Sequence, residues 1–136
     1  MSGHLLLVNG SFTAQVNGEP WAAESVTALL CEQVNVINIY GETDNGVDIS
    51  ISMSDDVTRG NTYPLTGNGD YSANIYEAGE TSSSHFSESG ELTILKHDTE
   101  NNIIEAEFYF KAKSQSSETV YDISEGEVSY SGYYVQ

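Results

Sequence analysis

Two stretches of strict alternation constrain this chain more than any other feature. In Val47-Asp48-Ile49-Ser50-Ile51-Ser52-Met53 every odd position is apolar and every even one polar. From Ile104 to Ala112 the residues Ile104, Ala106, Phe108, Phe110 and Ala112 point one way, and Glu105, Glu107, Tyr109 and Lys111 the other. A period of two belongs to a β-strand with one dry and one wet face; wound into a helix, it would scatter the apolar residues around the axis. No stretch shows a helical period, so the fold class read from the chain is all-β.

Weaker strands fill the remainder. Ser11 to Val16 ends at Asn17-Gly18, a pair that readily takes positive φ and so turns a hairpin, and the chain returns through Trp21. Ser25 to Cys31 and Val34 to Tyr40 form the next pair about a Glu32-Gln33 turn, with a slip at Val36-Ile37 that suggests a bulge or a strand covered on both faces. Asp44-Asn45-Gly46 leads into Val47. Ser54 to Gly69 reads as a long polar connection, Tyr71 to Tyr76 as a short strand, and Glu77 to Ser89 as a mobile loop rich in Ser, Gly and Glu. Gly90 to Lys96 is a strand, and Asp98 to Asn102 is the turn into Ile103. Beyond a polar loop at Ser114 to Glu118, Val120 to Ile123 and Glu127 to Tyr130 pair around Glu125-Gly126. Residues 1–10 hold either an added strand at Leu5 to Val8 or an appended segment. The sum is one domain over residues 1–136, an antiparallel meander of about ten short strands forming a barrel or a two-sheet sandwich, lipocalin- or calycin-like in outline. Its core is expected to gather Leu29, Val36, Ile49, Ile51, Leu92, Ile94, Phe108 and Phe110 around Trp21.

Charge narrows the partners. With 21 acidic residues against 4 basic ones, the formal charge is −17. Such a surface repels phosphate backbones and anionic lipid, so neither nucleic acid nor a membrane surface is expected to bind. The apolar run Leu5-Leu6-Leu7-Val8 is shorter than the ~7–15 residues of a signal-peptide core or the ~18 of a membrane span, and no lipobox cysteine follows it. Cys31 has no second cysteine to pair with and reads as a small buried hydrophobe.

Little in the sequence suggests a reaction centre. His4, His85 and His97 are not at metal-ligand spacing and read as solvated side chains. Asp44-Asn45-Gly46-Val47-Asp48, Asp55-Asp56 and Asn68-Gly69-Asp70 offer oxygens to calcium, but none has the spacing of a calcium loop, and hairpin turns demand the same residues. Calcium is therefore a weak expectation, and no other cofactor is implied. The carboxylate pairs Glu105/Glu107 and Asp55/Asp56 lack the apolar setting that would drive two pKa values apart. No catalytic or metal residues are assigned, and enzymatic activity is not expected.

Tyrosine is the unusual component, with nine in the chain. Tyr130, Tyr133 and Tyr134 near the C-terminus, and Tyr71 and Tyr76 on one strand, are candidate contacts for a protein or glycan partner, since an exposed phenol ring is rigid and amphipathic. The alternative is that tyrosine serves here as a strand residue whose hydroxyl reaches water.

Three segments carry a family resemblance: Phe12-Thr13-Ala14-Gln15-Val16-Asn17-Gly18-Glu19-Pro20-Trp21-Ala22-Ala23, then Gly60-Asn61-Thr62-Tyr63-Pro64-Leu65, then Gly90-Glu91-Leu92-Thr93-Ile94 with Asp98, Asn101-Asn102 and the strand from Ile103 to Phe110. Together, over Ser11 to Tyr130, they resemble small all-β domains of uncharacterised cell-envelope lipoproteins of the Bacteroidetes type. Ala106 stands where that pattern usually has glycine. The resemblance implies the fold and an envelope or extracellular setting, and it brings no catalytic residues. The expected function is a non-enzymatic binding or assembly module on a cell envelope or particle surface. A small-ligand carrier with a barrel cavity is the alternative, followed by a calcium-dependent adhesin or hydrolase.

Overall fold

In the computed structural model, which describes residues 10–44, 46–67, 70–77, 83–113 and 119–136, the alternating segments are strands as read. Val47–Ser54 and Ile103–Lys113 bury Ile49, Ile51 and Met53, and Ile104, Ala106, Phe108, Phe110 and Ala112, on one face each. Among the described residues eleven strands are formed: β1 (Gly10–Val16), β2 (Glu19–Ala22), β3 (Ser25–Cys31), β4 (Val36–Glu42), β5 (Val47–Ser54), β6 (Thr62–Pro64), β7 (Ser72–Glu77), β8 (Ser83–Asp98), β9 (Ile103–Lys113), β10 (Val120–Ser131) and β11 (Tyr134–Val135). The Leu5 to Val8 strand, His4 and the Ser114 to Glu118 loop lie outside the described residues.

The hydrogen-bonded order is β11-β3-β4-β5-β7-β8-β9-β10-β1-β2, with β6 paired to β8 beyond the end of β7. The run from β3 to β10 is the expected antiparallel meander. The sheet as a whole is mixed, because β11 lies parallel to β3. Among the described residues it is one sheet that does not close its ladder, neither a closed barrel nor two hydrogen-bonded sheets. It curls until its ends meet through side chains instead. Phe12 of β1 and Trp21 of β2 press on Gly41 of β4, where a β-carbon would fall 2.9 Å from each ring. The Trp21 indole Nε1 donates to Val47 O at 2.8 Å. Bulges in β8 at Ser87/Ser89 and Ile94/Lys96, and in β10 at Ile123/Gly126, supply the extra twist this curl requires.

The concave side holds the core. Phe12, Phe108 and Phe110 pack with Ile37, Ile39, Ile49, Ile51, Ile75, Ile94 and Leu92. Phe12 meets Trp21 and Phe108 edge-on at centroid distances of 5.4 and 5.5 Å. Several expectations are corrected here. Val36-Ile37 is not a bulge: the turn from β3 spans Glu32 to Asn35, Asn35 takes φ 56°, and β4 then alternates regularly with Ile37 and Ile39 inward. That phase half-exposes Val36 and puts Leu29 on the outer face, so neither is a central core residue.

The polar connection after β5 is not merely a loop. It contributes β6 and sends Val57 and Leu65 into the core. Glu77 and Ser83 to Ser89 are strand rather than loop, while 78–82 lie outside the described residues. Glu125-Gly126 is no hairpin but the bulge of a continuous β10. Gly126 is required there because a β-carbon would lie 2.4 Å from the Phe108 ring.

Candidate binding groove

The predicted tyrosines separate into two groups. Tyr130 and Tyr133 are buried in the core, and Tyr71 is half-buried, stacked on Tyr63 with centroids 4.9 Å apart. Tyr130 and Tyr133 are thus withdrawn from solvent, and Tyr71 leaves part of its ring exposed. Tyr76 and Tyr134 stand on the outer face of the sheet, 38% and 64% exposed.

Register explains what gathers around Tyr76. On the outer face, Tyr40 of β4 lies beside Ser50 of β5, Ser50 beside Asn74 of β7, and Asn74 beside Phe86 of β8. Tyr76 follows Asn74 by two residues, which in a strand puts both on one face, and it is opposite Asp48. Tyr40 is 39% exposed and Phe86 51%. The sequence reading missed both, although the alternation of Val36 to Glu42, once phased from Ile37 and Ile39, turns Tyr40 outward. Phe86 was hidden in a stretch read as loop.

Thr27, Leu29, Tyr40, Ser50, Asp48, Asn74 and Tyr76 line an open groove of about 340 Å³. Asp48 Oδ1 accepts from Thr43 N at 2.9 Å, which fixes the carboxylate at the groove. Beyond Ser50 on the same face of β5, the Ser52 hydroxyl donates to Asn38 Oδ1 at 2.5 Å. Asn74 Oδ1 is shielded from solvent and has no donor among the described residues. An amide oxygen left so is costly, and a group arriving in the groove could satisfy it.

A second groove, of about 430 Å³, crosses β8, β9 and β10 between Glu91, Thr93, Glu107, Tyr109, Glu125 and Glu127. Glu107 is directly opposite Glu127, a repulsive cross-strand pair. Tyr109 donates to Glu91 Oε1 at 2.8 Å; that hydrogen bond, with burial and the Glu91 charge, raises the phenol pKa. Among the described residues no three His, Cys, Asp or Glu side chains converge on a metal position.

Two histidines differ from the solvated reading. His97 belongs to β8, where a ring nitrogen faces each of two partners: Nδ1 lies 2.8 Å from Val57 O and Nε2 3.0 Å from Tyr133 Oη. A carbonyl can only accept, so Nδ1 carries the proton, and in the neutral ring Nε2 accepts from the phenol. Burial, then the charges of Asp55 and Asp98, push the Tyr133 pKa upward.

His85 is 1% exposed on the concave side, edge-on to Tyr121 at 4.9 Å, with Glu77 Oε1 3.5 Å from Nε2. The Tyr121 pKa is pushed up to about 12 by burial and by its hydrogen bond and charge contact with Glu77. No local signal marks His85; it became an inward residue only when β8 began at Ser83.

The family comparison agrees with the extent of this sheet. A model described as a domain of unknown function, DUF6252, matches residues 8–130. The chain belongs to the DUF6252 family. The match takes in β1 to β9 and nearly all of β10, and it leaves β11 outside. No curated protein and no solved structure matches the chain.

Proposed function

We propose that this DUF6252 domain is a non-enzymatic binding module that docks its partner in the groove between Tyr40 and Tyr76. One observation carries the reading: Tyr40 and Tyr76 stand exposed beside a floor of Ser50 and Asn74. Rigid aromatic rings beside fixed polar groups provide contact area at low entropic cost, and they do so without an acid–base pair or nucleophile. No cofactor takes part. The curled sheet, held at its seam by Trp21 and Phe12 on Gly41, supports a barrel-like outline. Its interior is occupied by phenylalanine and isoleucine side chains, which weighs against a carrier. The resemblance to envelope lipoprotein domains supports display at a cell surface, and surface labelling of intact cells tests that setting.

The docking role is tested on glycan and peptide arrays with the natural chain and with a Tyr40→Ser/Tyr76→Ser double variant. Specific binding that the double variant loses supports the reading. Silence on both arrays, or binding that survives the double substitution, contradicts it.

A further inference from the structure

Resting on that groove, we infer that its occupant is a neutral oligosaccharide chain. A sugar ring has an apolar face of C–H groups and a rim of hydroxyls. It therefore needs flat apolar partners and hydrogen-bonding groups at right angles to them. Tyr40 and Tyr76 supply the first, and Ser50, Asn74 and Asp48 the second. The acceptors of this floor call for donors: Asn74 Oδ1 has none among the described residues, and Asp48 is a carboxylate. Sugar hydroxyls bring donors in quantity.

The dimensions suit a chain rather than one ring. Thr27, Tyr40, Ser50 and Asn74 form a single register line across β3, β4, β5 and β7. Three strand spacings separate its ends, ~14 Å. Charge then selects among glycans. The molecule carries −17, and Glu42 and Asp48 both line the groove, so uronate, sulfate or phosphate groups are repelled. A basic peptide would be attracted, but the groove lies on the face of the sheet. There it offers no unpaired strand edge on which a peptide backbone could add.

The test is a nuclear magnetic resonance titration of the full chain with maltohexaose, cellohexaose, laminarihexaose and mannohexaose, with hexagalacturonate and a lysine-rich peptide alongside. At least one neutral hexaose should shift the Tyr40 and Tyr76 ring signals saturably, with Kd on the order of 1 mM or tighter. Tyr40→Ala and Tyr76→Ala should each weaken that binding by about tenfold or more, and Tyr→Phe at either position by less than about threefold. Hexagalacturonate should leave the signals in place. Thermal melting of each variant checks that the fold is retained, as expected of exposed side chains. Silence of all four neutral hexaoses overturns the carbohydrate assignment. If the lysine-rich peptide then binds at Tyr40 and Tyr76, the docking groove itself stands. If it does not, or if sugar binding survives both alanine variants, the groove reading falls as well.

Discussion

Trp21 of β2 and Gly41 of β4 touch across the gap between the two ends of the sheet: a β-carbon on Gly41 would lie 2.9 Å from the indole Cη2. Among the described residues the backbone ladder stops at β2 on one side and at β11 on the other, so this contact, with Phe12 beside it and the Trp21 Nε1 bond to Val47 O, does what a closed ladder does in a barrel. The curl it holds turns Tyr40 and Tyr76 outward while Ile39 and Ile75 fill the interior.

Gly41→Ala tests that seam. The added methyl has to displace two aromatic rings in a packed interior, an overpacking change that costs ~1–3 kcal/mol. Urea denaturation should show a lower midpoint at unchanged slope. A midpoint equal to that of the natural chain would mean the seam is loose.

Phe108 and Tyr109 test the phase of β9. Phe108 is buried between Phe12 and Phe110, and its replacement by alanine should cost ~3–5 kcal/mol. Tyr109 is on the wet face, so Tyr109→Ala should change stability by about 1 kcal/mol or less. Equal effects would show that β9 does not separate a dry face from a wet one.

Removing the Tyr133 hydroxyl tests the ring geometry of His97. Tyr133→Phe leaves Nε2 without its phenol and should cost ~0.5–1.5 kcal/mol. In the natural chain the His97 Nδ1 proton should exchange slowly with solvent, because it is held on Val57 O. A His97 ring protonated at Nε2 in the neutral form would contradict the arrangement.

The Tyr121 phenol predicts a loss of stability in alkali. Its folded pKa of about 12 lies above the value of 10.0 for a free phenol. Below pH ~10 both folded and unfolded chains keep the proton, and this group leaves stability unchanged. Between about 10 and about 12 only the unfolded chain ionises, so stability falls as the pH rises through that window. Tyr121→Phe should flatten this part of the stability profile. An unchanged slope would remove Tyr121 as its source.

Sequence made the strands legible wherever one face is dry, as in β5 and β9, because alternation records burial directly. It misjudged the segments whose inward residues are polar or isolated. His85 and Ser87 carry the inward face of β8 without being apolar, so a strand looked like a serine-rich loop. Val57 and Leu65 are single apolar residues in polar surroundings, and only the tertiary fold shows that both are fully buried. The Glu125-Gly126 bulge puts Glu125 at φ 49°, as a turn would, and the difference lies in the Phe108 ring packed on Gly126. The groove was half legible: Tyr76 stands out in the sequence, whereas Tyr40 depends on the phase of β4.

The most direct measurement is a backbone amide map of the docking surface, recorded with whichever ligand the arrays select. Perturbations should centre on Thr27, Tyr40, Ser50, Asn74 and Tyr76 and disappear in the Tyr40→Ser/Tyr76→Ser variant. Perturbations centred instead on Glu91, Glu107 and Glu127, with the double variant binding as well as the natural chain, would contradict docking in this groove.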